Sequence, residues 1–449
     1  MTMNKKLYLI SLGCAKNLTD TESMLAVLQE EGYVLCHKIE EAGCVIINTC
    51  AFIQAAKEEA VAEILLAAEQ KKENPNLKII VAGCLAQRYG QELAEAIGEV
   101  DGLVGTGQYM QVLQVLKEAN AGRQICLTED VNAPIESHGR TILTKKPTAY
   151  LKISEGCSRH CTYCIIPQLR GDYRSRKLED IVAEATALAR EGYSELVLVA
   201  QDVTLYGADI YGEKALPKLL EALNGIEKLT WIRLMYAYPE GLNDEMIHSI
   251  QMFDKVQKYI DMPLQHVNDR ILNEMGRHTT KRQIQNLYTK LRTKIDGVVL
   301  RTAFIVGFPT EQEEEYREIE EFIEKYPFDK VGVFAYSREE GTIAAQKPKQ
   351  VSSSIKQKRY EALMEKQQKI SLDKNRALIG TKMQVVVTEK VEKEVYWARS
   401  YRDAPEVDGG VMIVSDKELS IGEYYTCLIT GADVYDLTGE VCEKNEYSQ

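Results

Sequence analysis

The chain has 449 residues, of which 45% are hydrophobic and 27% charged, and its formal net charge is −12. This length predicts two or three domains, and the composition is typical of a globular protein rather than a disordered or fibrous one. No apolar run approaches the ~18–20 residues that span a bilayer, and the negative charge disfavours general binding to nucleic-acid backbones.

The chain begins MTMNKKLYLISLGC, which indicates a first strand rather than a signal peptide. Its short apolar segment continues into Gly13-Cys14 without a small-residue cleavage site. Eleven cysteines at irregular spacing argue against a disulfide framework in a chain that is not exported. We therefore expect a cytoplasmic protein whose reduced thiols are available for metal, with no membrane partner.

Over residues 1–125, short apolar runs alternate with helical patterns, which predicts a mostly parallel sheet covered by helices. Three of the runs, LISLGC, VIINTC and IIVAGC, end in Cys14, Cys50 and Cys84. The carboxyl ends of parallel strands share one edge of a sheet, where ligand sites form. We therefore expect these three thiols to converge on one metal site. The remaining isolated cysteines are interpreted as small apolar residues: Cys36, Cys44, Cys126, Cys427 and Cys442.

The segments ISLGCAKNLTDTE, NTCAF and AGCLAQR resemble the amino-terminal domain of the methylthiotransferases, a family of radical S-adenosylmethionine (SAM) enzymes. The resemblance implies that Cys14, Cys50 and Cys84 hold an auxiliary [4Fe–4S] cluster. The form SLGCAKN is similar to the branch that modifies ribosomal protein S12, whereas tRNA-modifying relatives tend to read GCQMN or GCKVN. Asp20 and Glu22 are expected to serve the N-terminus of the following helix.

Residues 126–146 contain Pro, Gly and scattered polar residues without a sustained period, which predicts a linker. Over residues 147–376 strand and helix patterns alternate again, in about six units. This predicts a partial or complete parallel barrel with its active site on the loops after the strands. The first of those loops carries a dense cysteine motif.

Cys157, Cys161 and Cys164 lie within eight residues, in the pattern C-x3-C-x2-C. Thiolates are the preferred ligands of iron–sulfur clusters. Three ligands on a four-iron cluster leave one iron open to a substrate or cofactor. Taken alone, the motif also permits a zinc site that includes His160, or a redox pair formed by the last two cysteines. The spacing resembles the cluster loop of radical SAM enzymes, whose core is a partial (βα)6 barrel.

The same resemblance implies candidate SAM contacts at four positions, for which ordinary barrel packing is the alternative. Tyr163 lies between the last two cysteines, and Gln201 follows a predicted strand where many relatives have an acidic residue. Ile305 and Gly307 match a turn that supports the adenosine, although the fuller G-x-I-x-G-x-x-E form is not kept. Three arginines follow the cluster loop and are interpreted either as ligands of a carboxylate or as part of a solvated connector: Arg170, Arg174 and Arg176.

Residues 377–449 contain five short strand patterns, which predict a small antiparallel β-barrel. The segment resembles a TRAM domain, a module often used to bind RNA. From residue 380 onward there are seven Lys and Arg against fourteen Asp and Glu, a net charge of −7. Such a surface repels RNA and attracts a basic protein. The run ARSYRDAPEVDG is similar to the branch that modifies ribosomal protein S12.

Together these features identify the chain as a member of the radical SAM methylthiotransferase family. The resemblance implies two [4Fe–4S] clusters and SAM as cofactors, and methylthiolation of the β-carbon of an S12 aspartate as a post-translational modification. One SAM would generate the radical and a second would donate the methyl group. The expected partners are S12, a sulfide source and a reduced flavodoxin- or ferredoxin-type donor. The alternatives are a tRNA-adenosine methylthiotransferase and a noncatalytic iron–sulfur or zinc protein that associates with ribosomes.

Overall fold

The computed structural model describes residues 4–135 and 139–444. Parts of three predicted segments lie outside the described residues: residues 1–3, 136–138 and 445–449. The chain divides into two compact units. The first comprises the described residues of Met1–Leu143, Ser154–Arg174 and Ser337–Ala345, and the second those of Thr144–Ile153, Ser175–Tyr336 and Gln346–Gln449. The strands that end in cysteines and the cysteine loop therefore belong to the same unit.

A six-stranded parallel sheet forms the centre of the first unit, in the order β2-β1-β3-β4-β5-β6. Its strands are β1 (Lys6–Ser11), β2 (Val34–Leu35), β3 (Cys44–Thr49), β4 (Lys78–Gly83), β5 (Gly102–Val104) and β6 (Ile125–Leu127). Its helices are α1 (Ala15–Glu30), α2 (Gln54–Glu73), α3 (Cys84–Ala96) and α4 (Val112–Asn120). β3 is buried along its whole length, as expected for a central parallel strand covered on both faces.

The predicted alternation of strand and helix is confirmed in this unit. Two strands of this sheet were missed, β2 with two residues and β6 with three, because such short segments carry no periodic pattern. β6 also extends two residues into the predicted linker. Alternate residues of the central strands lie in two cores, one on each face: Val45, Ile47 and Val81 in one, and Ile46 and Ile80 in the other.

The second unit contains an open six-stranded parallel sheet, in the order β14-β13-β12-β11-β10-β7. The strands of this sheet are β7 (Thr148–Lys152), β10 (Glu195–Val199), β11 (Trp231–Leu234), β12 (Val256–Asp261), β13 (Val299–Val306) and β14 (Lys330–Ala335). Two short strands, β8 (Ser154–Glu155) and β9 (Arg174–Ser175), pair with each other outside this sheet. The sheet confirms the prediction of six strand–helix units, and its two edge strands do not pair, so the barrel is partial.

The helices of residues 166–376 follow the predicted alternation, and two of them have the bounds that the sequence patterns predict, Leu178–Arg190 and Asp244–Met252. They are α5 (Ile166–Arg170), α6 (Leu178–Arg190), α7 (Leu216–Asn224), α8 (Asp244–Met252), α9 (Asp269–Glu274), α10 (Lys281–Lys294), α11 (Glu313–Lys325), α12 (Ile343–Gln346) and α13 (Ser353–Arg376). The Ser352 hydroxyl caps α13, a long helix rich in charged residues.

Five strands close into a small barrel at the end of the described chain, in the order β15-β16-β17-β19-β18. They are β15 (Lys382–Glu392), β16 (Val395–Ser400), β17 (Val411–Val414), β18 (Tyr424–Ala432) and β19 (Leu437–Lys444). The predicted barrel is confirmed, with one difference: β17 pairs with β19 in parallel, whereas the other four pairings are antiparallel. Among the described residues, no helix combines the length and apolar character needed to cross a bilayer.

Candidate metal and cofactor site

Cys14, Cys50 and Cys84 meet at the carboxyl edge of the first sheet, as predicted. Cys14 follows β1 and directly precedes α1, Cys50 follows β3, and Cys84 is the first residue of α3. A β-carbon placed on Gly13 would lie 3.1 Å from the Cys50 sulfur. Each of the three thiols also interacts electrostatically with at least one of the others. The edge of one sheet therefore brings together three sulfurs that are far apart in sequence.

The three thiols differ in their acidity. Burial alone would raise the pKa of Cys14, but the charges of Lys16 and Arg170 and two backbone hydrogen bonds outweigh it and lower that pKa. Burial, together with the neighbouring thiols, raises the pKa of Cys50 to about 12. Burial also raises the pKa of Cys84. A bound cation would favour the thiolate form of all three, because metal ligation requires deprotonated cysteine.

A network of buried polar side chains holds the three cysteine segments together. The Asn17 amide donates to the carbonyls of Leu12 and Thr49, at 2.9 and 2.8 Å. The Asn48 amide donates to the carbonyl of Asn17 at 2.8 Å. The Thr49 hydroxyl donates to Ala82 and accepts from the backbone N–H of Leu85, the second residue of α3. These bonds fix the three strand ends relative to one another.

The loop from Cys157 to Cys164 contains no helix and no strand. Cys157 and Cys161 are each 6% exposed, and Cys164 is partly buried. The loop is held by backbone bonds from Cys157 to Gly171 and from Cys164 to Cys161, both 3.0 Å long. Gly156 precedes it at φ +78°, and a β-carbon there would lie 1.9 Å from the carbonyl oxygen of Asp172. The loop therefore turns sharply and presents its three sulfurs from a short stretch of backbone.

His160 differs from these thiols in its exposure to solvent. It is exposed, with φ +52°, whereas the cysteines on either side of it are buried. The zinc alternative needs the imidazole beside the sulfurs, so the geometry disfavours it. Within residues 4–135 and 139–444, no three His, Cys, Asp or Glu side chains are arranged to hold a single metal ion. The ligands of a four-iron cluster each bind a different iron, and the two cysteine triads supply the donors that such clusters prefer.

The four predicted SAM contacts lie at loops and strand ends, and their roles stay predictions. Tyr163 lies in the cysteine loop and is partly buried. Gln201, also partly buried, follows β10. Ile305 is near the end of β13, and Gly307 follows that strand at φ +72°. The three positions in the second unit therefore all lie at the carboxyl edge of its parallel sheet, where ligands bind in such folds.

Glu311 shapes the turn after β13 and was not predicted from the sequence. Its carboxylate is buried and accepts from the backbone N–H of Gly307, with both oxygens at 3.0 Å. Nη1 of Arg359, on α13, donates to the same carboxylate at 2.5 Å. His266 Nε2 lies 3.5 Å from it. The only local signal was the position of this glutamate, four residues after Gly307. Its partner Arg359 is 48 residues further along the chain.

Asp20 and Glu22 do not serve a helix N-terminus, so that expectation was wrong. α1 begins at Ala15, and both carboxylates lie in its second turn, buried. Asp20 pairs with Arg170 at 3.0 Å, and Glu22 pairs with Arg140 at 2.7 Å. Both carboxylates thus tie α1 to distant segments of the first unit.

The three arginines after the cysteine loop all bind protein groups. Arg170 is buried among carboxylates of the first unit. Arg174 donates to the Asn132 side chain at 2.8 Å, and Arg176 pairs with Glu184 at 2.6 Å. The interpretation as a solvated connector was therefore wrong for Arg170, which is 1% exposed.

Three family models match successive parts of the chain. They are Uncharacterized protein family UPF0004 over residues 6–105, the Radical SAM superfamily over 151–323 and the TRAM domain over 379–442. Membership of the radical SAM superfamily implies a [4Fe–4S] cluster and SAM. The first two models contain the two cysteine triads.

Three relatives that match over nearly their full length carry the same name. The chain is 46% identical to "Ribosomal protein uS12 methylthiotransferase RimO" of Clostridioides difficile (strain 630), over 97% of this chain and 98% of the relative. It is 47% identical to the protein of the same name from Caldanaerobacter subterraneus subsp. tengcongensis, over 96% and 99%. The protein of that name from Trichlorobacter lovleyi is 45% identical, over 98% and 99%.

Solved structures share the fold at low sequence identity. The radical SAM methyltransferase TsrM from Kitasatospora setae superposes with a TM-score of 0.55 at 12% identity, covering 84% of this chain and 79% of that one. The cobalamin-dependent SAM radical enzyme OxsB gives a TM-score of 0.51 at 13% identity, covering 80% and 56%. At such identity the likeness concerns the fold alone.

Proposed function

The chain belongs to the ribosomal protein uS12 methylthiotransferase family, and from this premise we propose that it methylthiolates the β-carbon of an aspartate in uS12. The observation that carries the proposal is the pair of cysteine triads, in a chain similar over nearly its whole length to relatives of that name. When bound, SAM and a [4Fe–4S] cluster supply a radical that removes hydrogen from an unactivated carbon, and a second SAM supplies the methyl group.

The residues take distinct roles in this proposal. Cys157, Cys161 and Cys164 would hold the cluster that binds SAM, and Cys14, Cys50 and Cys84 would hold an auxiliary [4Fe–4S] cluster. Tyr163, Gln201, Ile305 and Gly307 would contact SAM. The domains would be residues 1–125 for the auxiliary cluster, 126–146 as linker, 147–376 as radical SAM core and 377–449 as TRAM-like barrel.

The surface of the terminal barrel supports a protein substrate over RNA. Both of its arginines, Arg399 and Arg402, are buried in ion pairs with carboxylates of the second unit. Of its described side chains, eight acids and four lysines are exposed: Glu389, Glu392, Glu394, Glu406, Asp416, Glu418, Asp433 and Glu440 against Lys382, Lys390, Lys393 and Lys417. The exposed surface is thus strongly acidic, which favours a basic ribosomal protein and repels phosphates.

The remaining partners follow from the chemistry. Reductive cleavage of SAM takes one electron, for which we propose a reduced flavodoxin- or ferredoxin-type donor. The inserted sulfur needs a sulfide source. A reducing cytoplasm, with uS12 free or in the small ribosomal subunit, fits both requirements and the free thiols.

The test is to incubate the anaerobically reconstituted enzyme with SAM and dithionite, with uS12 in one reaction and tRNA in another. Mass spectrometry should find a methylthio group on one uS12 aspartate, together with methionine, 5′-deoxyadenosine and S-adenosylhomocysteine. Modified tRNA with unmodified uS12 would instead establish the tRNA-adenosine alternative.

A noncatalytic ribosome-associated protein is the alternative of another class. Iron and sulfide analysis distinguishes it, because two [4Fe–4S] clusters require about eight irons per chain. Stoichiometric zinc, or intact SAM after reduction, would favour this alternative.

A further inference from the structure

Arg170 connects the cysteine loop to the auxiliary cysteine triad within the first unit. It is the last residue of α5, which begins two residues after Cys164. Its side chain is 1% exposed. A fully buried guanidinium is stable only where carboxylates and hydrogen bonds replace its hydration. The partners of Arg170 therefore show which segments of the chain it connects.

The partners of Arg170 come from two segments. Nη1 donates to Asp20 at 3.0 Å and to Glu155 at 2.8 Å, and Nη2 donates to the Asn17 side chain. Asp20 and Asn17 belong to α1, which directly follows Cys14. Glu155 immediately precedes the turn into the cysteine loop. The guanidinium therefore joins the base of the cysteine loop to the helix that carries the auxiliary site.

The same guanidinium also faces the auxiliary thiols. Its charge acts electrostatically on the thiols of Cys84, Cys14 and Cys50. The Asn17 oxygen that accepts from Arg170 is 3.9 Å from the Cys84 sulfur. A buried ion-pair cluster could satisfy Arg170 anywhere in the core. Its position near the three proposed ligand sulfurs therefore needs a further explanation.

We propose, on the basis of the proposed auxiliary cluster, that Arg170 is a positioning residue whose buried charge, held near the Cys84 sulfur through the Asn17 side chain, raises the reduction potential of that cluster. Hydrogen bonds to the ligand sulfurs and the local net charge set the potential of an iron–sulfur cluster. A fixed cation beside the sulfurs stabilises the reduced, more negative state. The carboxylates of Asp20 and Glu155 hold the guanidinium in place. In this proposal, the segment that carries the radical-generating cysteines therefore also supplies a positive charge to the auxiliary site.

The experiment measures the potential of the auxiliary cluster alone. A full-length background variant, Cys157→Ala/Cys161→Ala/Cys164→Ala, retains only the auxiliary site and should contain about four irons. In this background Arg170→Gln should lower the midpoint potential of the cluster by about 59 mV. For a one-electron couple, this shift lowers the ratio of reduced to oxidised cluster about tenfold at a fixed solution potential. Redox titration followed by electron paramagnetic resonance gives the ratio.

Two further variants separate charge from folding. Arg170→Lys keeps the charge and loses the forked donor, so its potential should lie between those of the background and Arg170→Gln. Adding Asp20→Asn to Arg170→Gln removes one buried negative charge and should shift the potential back. Arg88→Lys is the matched control, because Arg88 is buried in the same unit and pairs with Glu339 at 2.8 Å. Its potential should equal that of the background.

The outcomes distinguish this inference from the proposed function. About four irons with an unchanged potential in Arg170→Gln would overturn the role of Arg170 and leave the auxiliary cluster standing. A background variant without iron would overturn the auxiliary cluster and this inference together.

Discussion

Arg359 on α13 donates to Glu311 after β13, with 2.5 Å between the guanidinium Nη1 and the carboxylate Oε1. The Glu311 side chain is completely buried, and that of Arg359 is 7% exposed. Because Glu311 also accepts from the backbone N–H of Gly307, this ion pair fixes the turn that we propose supports SAM.

Arg359→Ala should destabilise the apoprotein by about 3–5 kcal/mol, because it leaves the Glu311 carboxylate buried without its cation. Urea unfolding measures this loss. Arg317→Ala is the control, since Arg317 is 63% exposed and pairs with Glu313 on the surface of α11. That change should cost less than about 1 kcal/mol. Equal losses in the two variants would show that the buried pair contributes no more than the surface pair.

Iron content should report the two cysteine triads separately. Cys161→Ala should abolish SAM cleavage and reduce the iron from about eight to about four per chain. Cys50→Ala should also leave about four irons, but SAM cleavage should persist while methylthiolation is lost. Cys442→Ala serves as control, because this exposed cysteine lies in β19 of the terminal barrel and should leave both clusters intact. SAM cleavage by Cys161→Ala would contradict the assignment of the radical-generating loop.

Gly13→Ala should reduce iron at the auxiliary site. Gly13 has φ +89°, and an added β-carbon would lie 2.7 Å from the Cys50 β-carbon. The methyl group therefore displaces a proposed ligand in addition to straining the backbone. Gly122→Ala imposes a similar strain at φ +77° but meets nothing within 4 Å. Iron analysis in the Cys157→Ala/Cys161→Ala/Cys164→Ala background compares the two, and equal occupancy would contradict the predicted displacement.

Glu195 should make the second unit sensitive to acid. Burial alone would raise its pKa, but Arg399 and Arg233 outweigh it and lower the pKa from 4.5 to about 2. A depressed carboxyl pKa adds stability above the unfolded value, and that stability is lost as pH falls from 4.5 towards 2. The contribution at neutral pH is about 3 kcal/mol.

Urea unfolding from neutral pH down to about pH 3 measures this loss. Glu195→Gln should lower stability at neutral pH and flatten the decline below pH 4.5. Glu365→Gln, on the exposed surface of α13, should leave the profile close to that of the unmodified protein. A Glu195→Gln profile parallel to the unmodified one would show that other carboxylates cause the acid sensitivity.

Much of the fold was predictable because its signals are local. The runs ending at Cys14, Cys50 and Cys84 are buried strands followed by helices, and parallel pairing places their ends on one edge. Likewise, α6 and α8 begin and end where the sequence patterns predict. Short strands such as β2 carry no period and were missed.

The polar partners were not predictable, because they pair residues far apart in the chain. The sequence around Asp20 predicts that it caps a helix, yet its partner Arg170 is 150 residues away. Glu311 and Arg359 are 48 residues apart. Nothing in the spacing of such residues indicates that a buried charge in one segment will meet its counter-charge in another.

The sequence by itself determined the two cysteine triads, the alternation that builds both parallel sheets and the acidic charge of the terminal barrel. These are properties of composition, period and spacing, which act over a few residues. Only the tertiary structure decided that His160 is exposed while Cys157 and Cys161 are buried, and that Arg170 lies near the thiols of the other triad. The physical reason is burial. A charged group inside the protein is stable only beside a counter-charge, and the fold determines which residue supplies it.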